Sequence, residues 1–259
     1  MPFSIEGKRV LVTGGARGVG GESTRYFARQ GALVVACDIR DEEGAKLAKE
    51  ATDAGPGKVI FRHLDVTNLD EIKATVDFAV AELGGLDALV NSAGLPIMSH
   101  AEITPEDEWD KQFSINTKGT ALMCETVFPH LKERGGSIVN IAAGGALKDA
   151  PILSSSYSAS KGAVLSFTRT IGLEWAKYGI RCNAVNPVVA TTLGDEIRAK
   201  MSPEDAKIYG GMIEGRMSSG RKGDIETDLA PVLEFLISDG SKFINSQIIA
   251  VDGGLNPSR

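Results

Sequence analysis

Short apolar runs without polar alternation recur along the chain, separated by longer stretches in which apolar positions return every three or four residues. Val10-Leu11-Val12, Leu33-Val34-Val35-Ala36-Cys37, Val59-Ile60-Phe61, Ala88-Leu89-Val90 and Ser137-Ile138-Val139-Asn140-Ile141 are the first five runs. Residues 181–185 and Ile248-Ile249-Ala250-Val251 read as a sixth and a seventh. Runs of this kind suit strands buried on both faces. The intervening periodicity predicts helices over 19–30, 41–54, 68–83, 106–133 and 157–178. A βαβα rhythm implies an α/β fold: one domain over 1–259, with a doubly wound seven-stranded parallel sheet and helices on both faces. Residues 191–224, rich in Gly, Met, Ser and charge, break the pattern after the sixth strand. Ligands bind at carboxyl ends of such strands, so this segment is expected to act as a substrate lid.

Composition narrows the partners. With 259 residues, 42% of them hydrophobic, the chain can bury one large core. A net charge of -6 offers no basic field for nucleic acid. No apolar run reaches the length of a membrane span, and residues 1–9 lack the apolar core of a signal peptide. Cys37, Cys124 and Cys182 are too few and too dispersed for a disulfide framework or a zinc site. A cytoplasmic protein with buried thiols is expected. His63, His100 and His130 stand apart from one another and are read as structural or surface residues.

Two clusters carry chemistry. Thr13-Gly14-Gly15-Ala16-Arg17-Gly18-Val19-Gly20 lies between the first strand and the first helix. Its glycines allow a tight turn and close approach to a pyrophosphate, and the helix N-terminus supplies N–H groups and a positive dipole, as in Rossmann-type folds. Asp38 ends the second strand about twenty residues on, where a carboxylate accepts hydrogen bonds from a ribose diol and repels a 2′-phosphate. That favours NAD over NADP, although Arg17 and Arg40 are near enough to blunt the preference. In Tyr157-Ser158-Ala159-Ser160-Lys161 a phenol and an ammonium share one helix face at i and i+4.

Together these residues resemble the short-chain dehydrogenase/reductase family over 8–254. Gly14, Gly18 and Gly20 match TGxxxGxG, and Asp65-Val66 matches the adenine-contacting pair. Asn91-Ser92-Ala93-Gly94 matches NNAG with Ser for the second Asn, and Asn116 falls at the catalytic Asn. Tyr157 and Lys161 match YxxxK, and Val251-Asp252-Gly253-Gly254 matches the usual end of the last strand. Asn186-Pro187-Val188-Val189-Ala190-Thr191-Thr192 looks like PGxxxT with Val188 in place of Gly. The resemblance implies that Tyr157 exchanges a proton with the substrate oxygen, that Lys161 holds the ribose and lowers the Tyr157 pKa, and that Asn116 anchors a water. It implies NAD contacts from Gly14, Arg17, Gly18, Val19, Gly20, Asp38, Asp65, Val66, Asn91, Ala93, Gly94, Tyr157, Lys161, Pro187, Ala190 and Thr192. It also implies a homotetramer built through the long helices and the last strand.

One family residue is missing. The serine expected at the end of the fifth strand falls on Ala143 or Gly144, and no Ser, Thr, Tyr or Cys lies between Ser137 and Ser154. Candidates to replace it are Ser154, Ser155 or Ser156, the N–H groups of Gly144 and Gly145, and Lys148 or Asp149; helix capping is the plainer role for any one of the serines. Pocket walls are expected from 95–98, 146–153, Val188, Val189 and the lid, and are mostly apolar: Met98, Leu147, Ile152, Leu153, Met201, Met212, Met217. A medium-sized, largely apolar secondary alcohol or ketone follows as the substrate of an NAD-dependent oxidoreductase. The alternative is a relative that keeps NAD bound and uses Tyr157 for proton transfer alone, as a cyclase, dehydratase or lyase.

Overall fold

The computed structural model describes residues 3–146 and 151–256. Seven strands form one parallel sheet: β1 (Arg9–Thr13), β2 (Leu33–Asp38), β3 (Lys58–His63), β4 (Ala88–Asn91), β5 (Gly136–Ile141), β6 (Ile180–Pro187) and β7 (Ile248–Val251). Their spatial order is β3-β2-β1-β4-β5-β6-β7. The chain first builds outward from β1 to β3, then returns to pair β4 with β1, so winding reverses between those strands. Thr13 pairs with Cys37 on one side and Asn91 on the other, which aligns the carboxyl ends of three strands around one crevice.

Alternation along each strand divides the core in two. Val10, Val12, Val34, Ala36 and Val139 face α1 (Gly18–Arg29), α2 (Asp41–Ala54) and α9 (Ala230–Ile237). Leu11, Val35, Leu89 and Ile138 face α3 (Leu69–Leu83), α5 (Thr120–Leu131) and α6 (Ser155–Trp175). Burial on both faces explains why the central strands read as unbroken apolar runs. Helix ends follow local signals. Asn68 caps α3 by accepting from the Asp70 and Glu71 N–H groups, and Gly84 ends it in the left-handed conformation at φ 73°.

Three segments differ from the sequence expectation. The helix expected over 106–133 is divided into α4 (Glu106–Gln112), a π-helical turn (Phe113–Gly119) and α5. A π turn widens the helix without changing residue type, so a 3.6-residue period does not reveal it. Residues 191–224, expected to be irregular, contain α7 (Thr192–Ala199) and α8 (Pro203–Ile213). Their start signals were in the sequence: the Thr191 side chain accepts from the Gly194 N–H, and Ser202 exchanges hydrogen bonds with Asp205 across Pro203. Helix α9 had no predicted counterpart. It is apolar on nearly every side and carries Pro231 in its first turn, which leaves no amphipathic stripe to read. Among the described residues no helix is long and apolar enough to cross a membrane.

Candidate active site

The cleft above the strand ends encloses about 500 Å³ and runs from the glycine-rich loop to the helices of 191–224. At the loop, Gly14 has φ 66° and lies so close to β4 that a Cβ there would sit 2.7 Å from the Ala93 nitrogen. A Cβ on Gly20 would collide with the Gly14 carbonyl oxygen. Thr13 Oγ1 accepts from the Ser92 and Ala93 N–H groups, 3.1 Å each, fastening the two strand ends together. Arg17 makes no side-chain cap on α1, and the first turn of α1 holds no acid, so the helix N-terminus stays open to an anion.

Asp38 stands beside this loop. Its carboxylate accepts from the Ala16 and Arg40 N–H groups, 3.2 Å each, and faces the cleft. The neighbouring cations are engaged elsewhere: Arg40 pairs with Glu43 at 3.0 Å and Arg17 with Glu196 of α7 at 3.2 Å. Asp65 and Val66 line the same end, with Asp65 Oδ1 fixed by Thr67. An open helix N-terminus, a backbone that tolerates no side chain at Gly14 or Gly20, and a carboxylate one strand away fit a dinucleotide. Gly14, Arg17, Gly18 and Val19 would take its phosphates, and Asp38 a ribose.

At the opposite end α6 presents Tyr157 and Lys161. Tyr157 is half-buried and its phenol is pushed above its ordinary pKa, first by burial and then by Tyr209 of α8. Lys161 is 3% exposed, donates to the Ile141 carbonyl at 2.8 Å, and is drawn down to about 8 by burial. The expected lowering of the Tyr157 pKa by Lys161 is therefore not seen. The ammonium is directed at the end of β5 and is itself disfavoured by its surroundings. Gly94 lies between Lys161 and Asn116: a Cβ on it would be 3.3 Å from both Lys161 Nζ and Asn116 Oδ1.

Asn116 is fully buried on the π turn and does not line the cleft. It accepts from the Leu95 N–H at 2.7 Å and donates to Leu95 O and Ser160 Oγ. One turn earlier, buried Gln112 repeats the pattern, accepting from the Ile97 N–H and donating to Ser156 Oγ at 2.6 Å. Gln112 and Asn116 are four apart, as are Ser156 and Ser160. Two rungs therefore clamp the loop after β4 to the helix that carries Tyr157. The sequence reading missed Gln112 and Ser160 and named Ser156 only as a spare hydroxyl; the matched i, i+4 spacing was the available signal.

Ala93, Gly94 and Pro187 line the cleft with Tyr157 and Lys161. Other expected contacts point elsewhere. Gly20 packs beneath Gly14. Asn91 is buried and donates to Asn140 and Cys124. The Ala190 N–H is bonded to Gly223 O, and Thr192 opens α7, leaving Val188, Val189 and Thr191 at the cleft. Ala143 and Gly144 both line it. Ser154 makes no capping bond to α6; its hydroxyl donates to Pro151 O at 2.6 Å and meets Ser158 Oγ. Ser155 Oγ is buried without a partner among the described residues. Leu147, Lys148 and Asp149 lie outside those residues. Leu95, Pro96, Met98, Leu193, Ile197 and Met212 supply apolar wall, whereas Ile152, Leu153, Met201 and Met217 do not line the cleft. Tyr209 and Asn256, which the sequence reading passed over, do.

A phosphate-ready helix terminus and a phenol–ammonium pair at two ends of one cleft define a dinucleotide-dependent enzyme on a doubly wound sheet. Comparison with known proteins agrees. A family model for short chain dehydrogenase matches residues 8–202. The 3-oxoacyl-(acyl-carrier-protein) reductase FabG of Thermotoga maritima is 38% identical over 252 residues, covering 97% of this chain and 98% of that protein. Cyclopentanol dehydrogenase of Comamonas sp. is 36% identical over 253 residues, covering 96% and 97%. The crystal structure of levodione reductase superposes with a TM-score of 0.90 at 29% identity, covering 96% of this chain and 98% of that one. The chain belongs to the short chain dehydrogenase family, whose general activity is NAD(P)-linked oxidation and reduction of small organic substrates.

Proposed function

We propose that the protein interconverts a secondary alcohol and a ketone with NAD, on a medium-sized and largely apolar substrate. The observation that carries this reading is a half-buried Tyr157 in one cleft with an open α1 N-terminus and a mostly aliphatic wall. When bound, NAD supplies the hydride acceptor, and in reduced form the donor. Tyr157 Oη takes the hydroxyl proton in oxidation and returns it in reduction. Burial favours its neutral form, the proton donor that ketone reduction needs. Lys161, one turn along α6 from Tyr157, holds the ribose. Asn116, which with Lys161 flanks Gly94, anchors a water.

Asp38 supports NAD over NADP because its carboxylate sits at the second strand end while both nearby arginines are paired with acids. The preference for a largely apolar substrate draws on the aliphatic wall and on the kinship with a cyclopentanol dehydrogenase. Residues 191–224 serve as the lid, with α7 and α8 over the substrate end. Leu173 is 72% exposed on α6 and Trp109 is exposed on α4, which supports a homotetramer assembled through these helices. Light scattering at micromolar concentration tests that point, and a monomer would refute it.

Absorbance at the NADH band tests the activity. Purified protein is offered NAD with cyclic, aryl and acyclic secondary alcohols and with polyols, and NADH with the matching ketones. Turnover of the cyclic and aryl compounds is expected, and polyols as the best substrates would overturn the substrate class. A protein that binds NAD yet never changes its absorbance would favour proton transfer alone.

A further inference from the structure

The family pattern places a hydroxyl at the end of β5, and this chain has Ala143 and Gly144 there. The space is not left to solvent. A Cβ on Gly144 would lie 3.0 Å from Asn256 Nδ2 and 3.8 Å from Val188 Cγ2. The carboxamide of Asn256 thus occupies the place into which a side chain at residue 144 would project. Asn256 is 7% exposed and lines the cleft that holds Tyr157. Its Oδ1 is buried with no hydrogen-bond partner among the described residues. An orphaned buried carbonyl is costly to keep, so its retention calls for a ligand or a function.

The backbone is built to hold this side chain in place. After β7 the chain turns through Gly253 and Gly254, at φ 59° and 80°. Asp252 Oδ1 accepts from the Gly254 N–H at 3.0 Å and Oδ2 from the Asn256 N–H at 2.8 Å. Ser218 Oγ and the Ser219 N–H both donate to Gly253 O, binding the end of the 191–224 segment to the same turn. The side chain therefore enters the cleft from a fixed turn rather than from a free tail.

We propose that Asn256 is a catalytic residue that donates through Nδ2 to the substrate oxygen, in place of the hydroxyl missing at Ala143 or Gly144. This rests on the redox reading above. A carboxamide suits the task the missing hydroxyl leaves open, because its N–H can meet the carbonyl or alkoxide oxygen. Gly144 is then the complement of Asn256, since a side chain there would crowd the amide.

The test compares wild type with Asn256→Ala and Asn256→Asp, measuring kcat and KM on the best alcohol and ketone of the panel, NAD dissociation constant, and thermal midpoint. Asp keeps the shape and removes the N–H donor. Both variants are expected to lose about a hundred- to a thousand-fold in kcat. NAD affinity should stay within twofold, and Asn256→Ala should be as stable as wild type or more so, because it deletes the orphaned Oδ1. If wild type turns over and both variants stay within threefold of its kcat, the inference falls while the redox reading stands. Losses that follow weaker NAD binding or a lowered midpoint would also overturn it, since a structural part behaves that way. A wild type that reduces no NAD with any alcohol overturns the redox reading and the inference with it.

Discussion

Removing the Lys161 ammonium should stabilise the protein at neutral pH while it destroys activity. The group is 3% exposed, and burial lowers its pKa from 10.5 to about 8. A gap of that size corresponds to about 3 kcal/mol spent on keeping the charge in the folded state. The sign follows from proton binding. Between about pH 8 and 10.5 the unfolded chain holds this proton more tightly than the folded protein, so stability contributed by this site rises with pH across that window. Below pH 8 both states are protonated and the full penalty applies. Lys161→Met abolishes the penalty but leaves the Ile141 carbonyl without its donor, a loss of about 1 kcal/mol. The variant is expected to be about 2 kcal/mol more stable than wild type at pH 6.5 and about 1 kcal/mol less stable at pH 10.5. Urea titrations of both proteins without cofactor, at those two pH values, give the difference directly, because every other group titrates in both. A difference that does not change with pH would refute the argument, as would a variant that is the less stable at pH 6.5.

Gly20→Ala should abolish NAD binding by calorimetry, because its Cβ meets the Gly14 carbonyl, whereas Gly211→Ala on α8, with nothing within 4 Å, should bind NAD normally. Ser156→Ala strands the Gln112 amide and should lower stability by about 1–3 kcal/mol, and the double variant with Gln112→Val should recover part of that in urea unfolding. Asp38→Ala should weaken NAD binding by about tenfold and narrow the preference over NADP, as measured by titrating both; an unchanged ratio would remove Asp38 from the ribose site.

The sheet was legible because both-face burial writes each strand as an apolar run, and all seven strands fall where those runs lie. The loop at Gly14 and the pair Tyr157 and Lys161 were legible because their residue types are forced by backbone approach or by helical spacing. What escaped was written in conformation or in distant contact. The π turn that turns Asn116 inward keeps ordinary helical composition. The meeting of Asn256 with Gly144 joins positions over a hundred residues apart, and neither carries a local pattern. Ser154 shows the opposite failure: its place at a helix start suggested a cap, yet its hydroxyl is held by Pro151 O and Ser158.

The turn after β7 also sets when this cleft can come into being. Val188 at the substrate wall donates its N–H to Val251 O, and the 191–224 segment is tied to Gly253. A chain that ends before residue 248 can still pair β1 through β6 and bury most of both cores, yet it lacks the strand on which wall, lid and Asn256 converge. The glycine-rich loop, Asp38 and Lys161 are in place once β1 to β6 have paired; the substrate end waits for the last strand at the sheet's edge. In refolding, recovery of NAD binding should therefore precede recovery of turnover, with the interval set by the docking of β7 on β6.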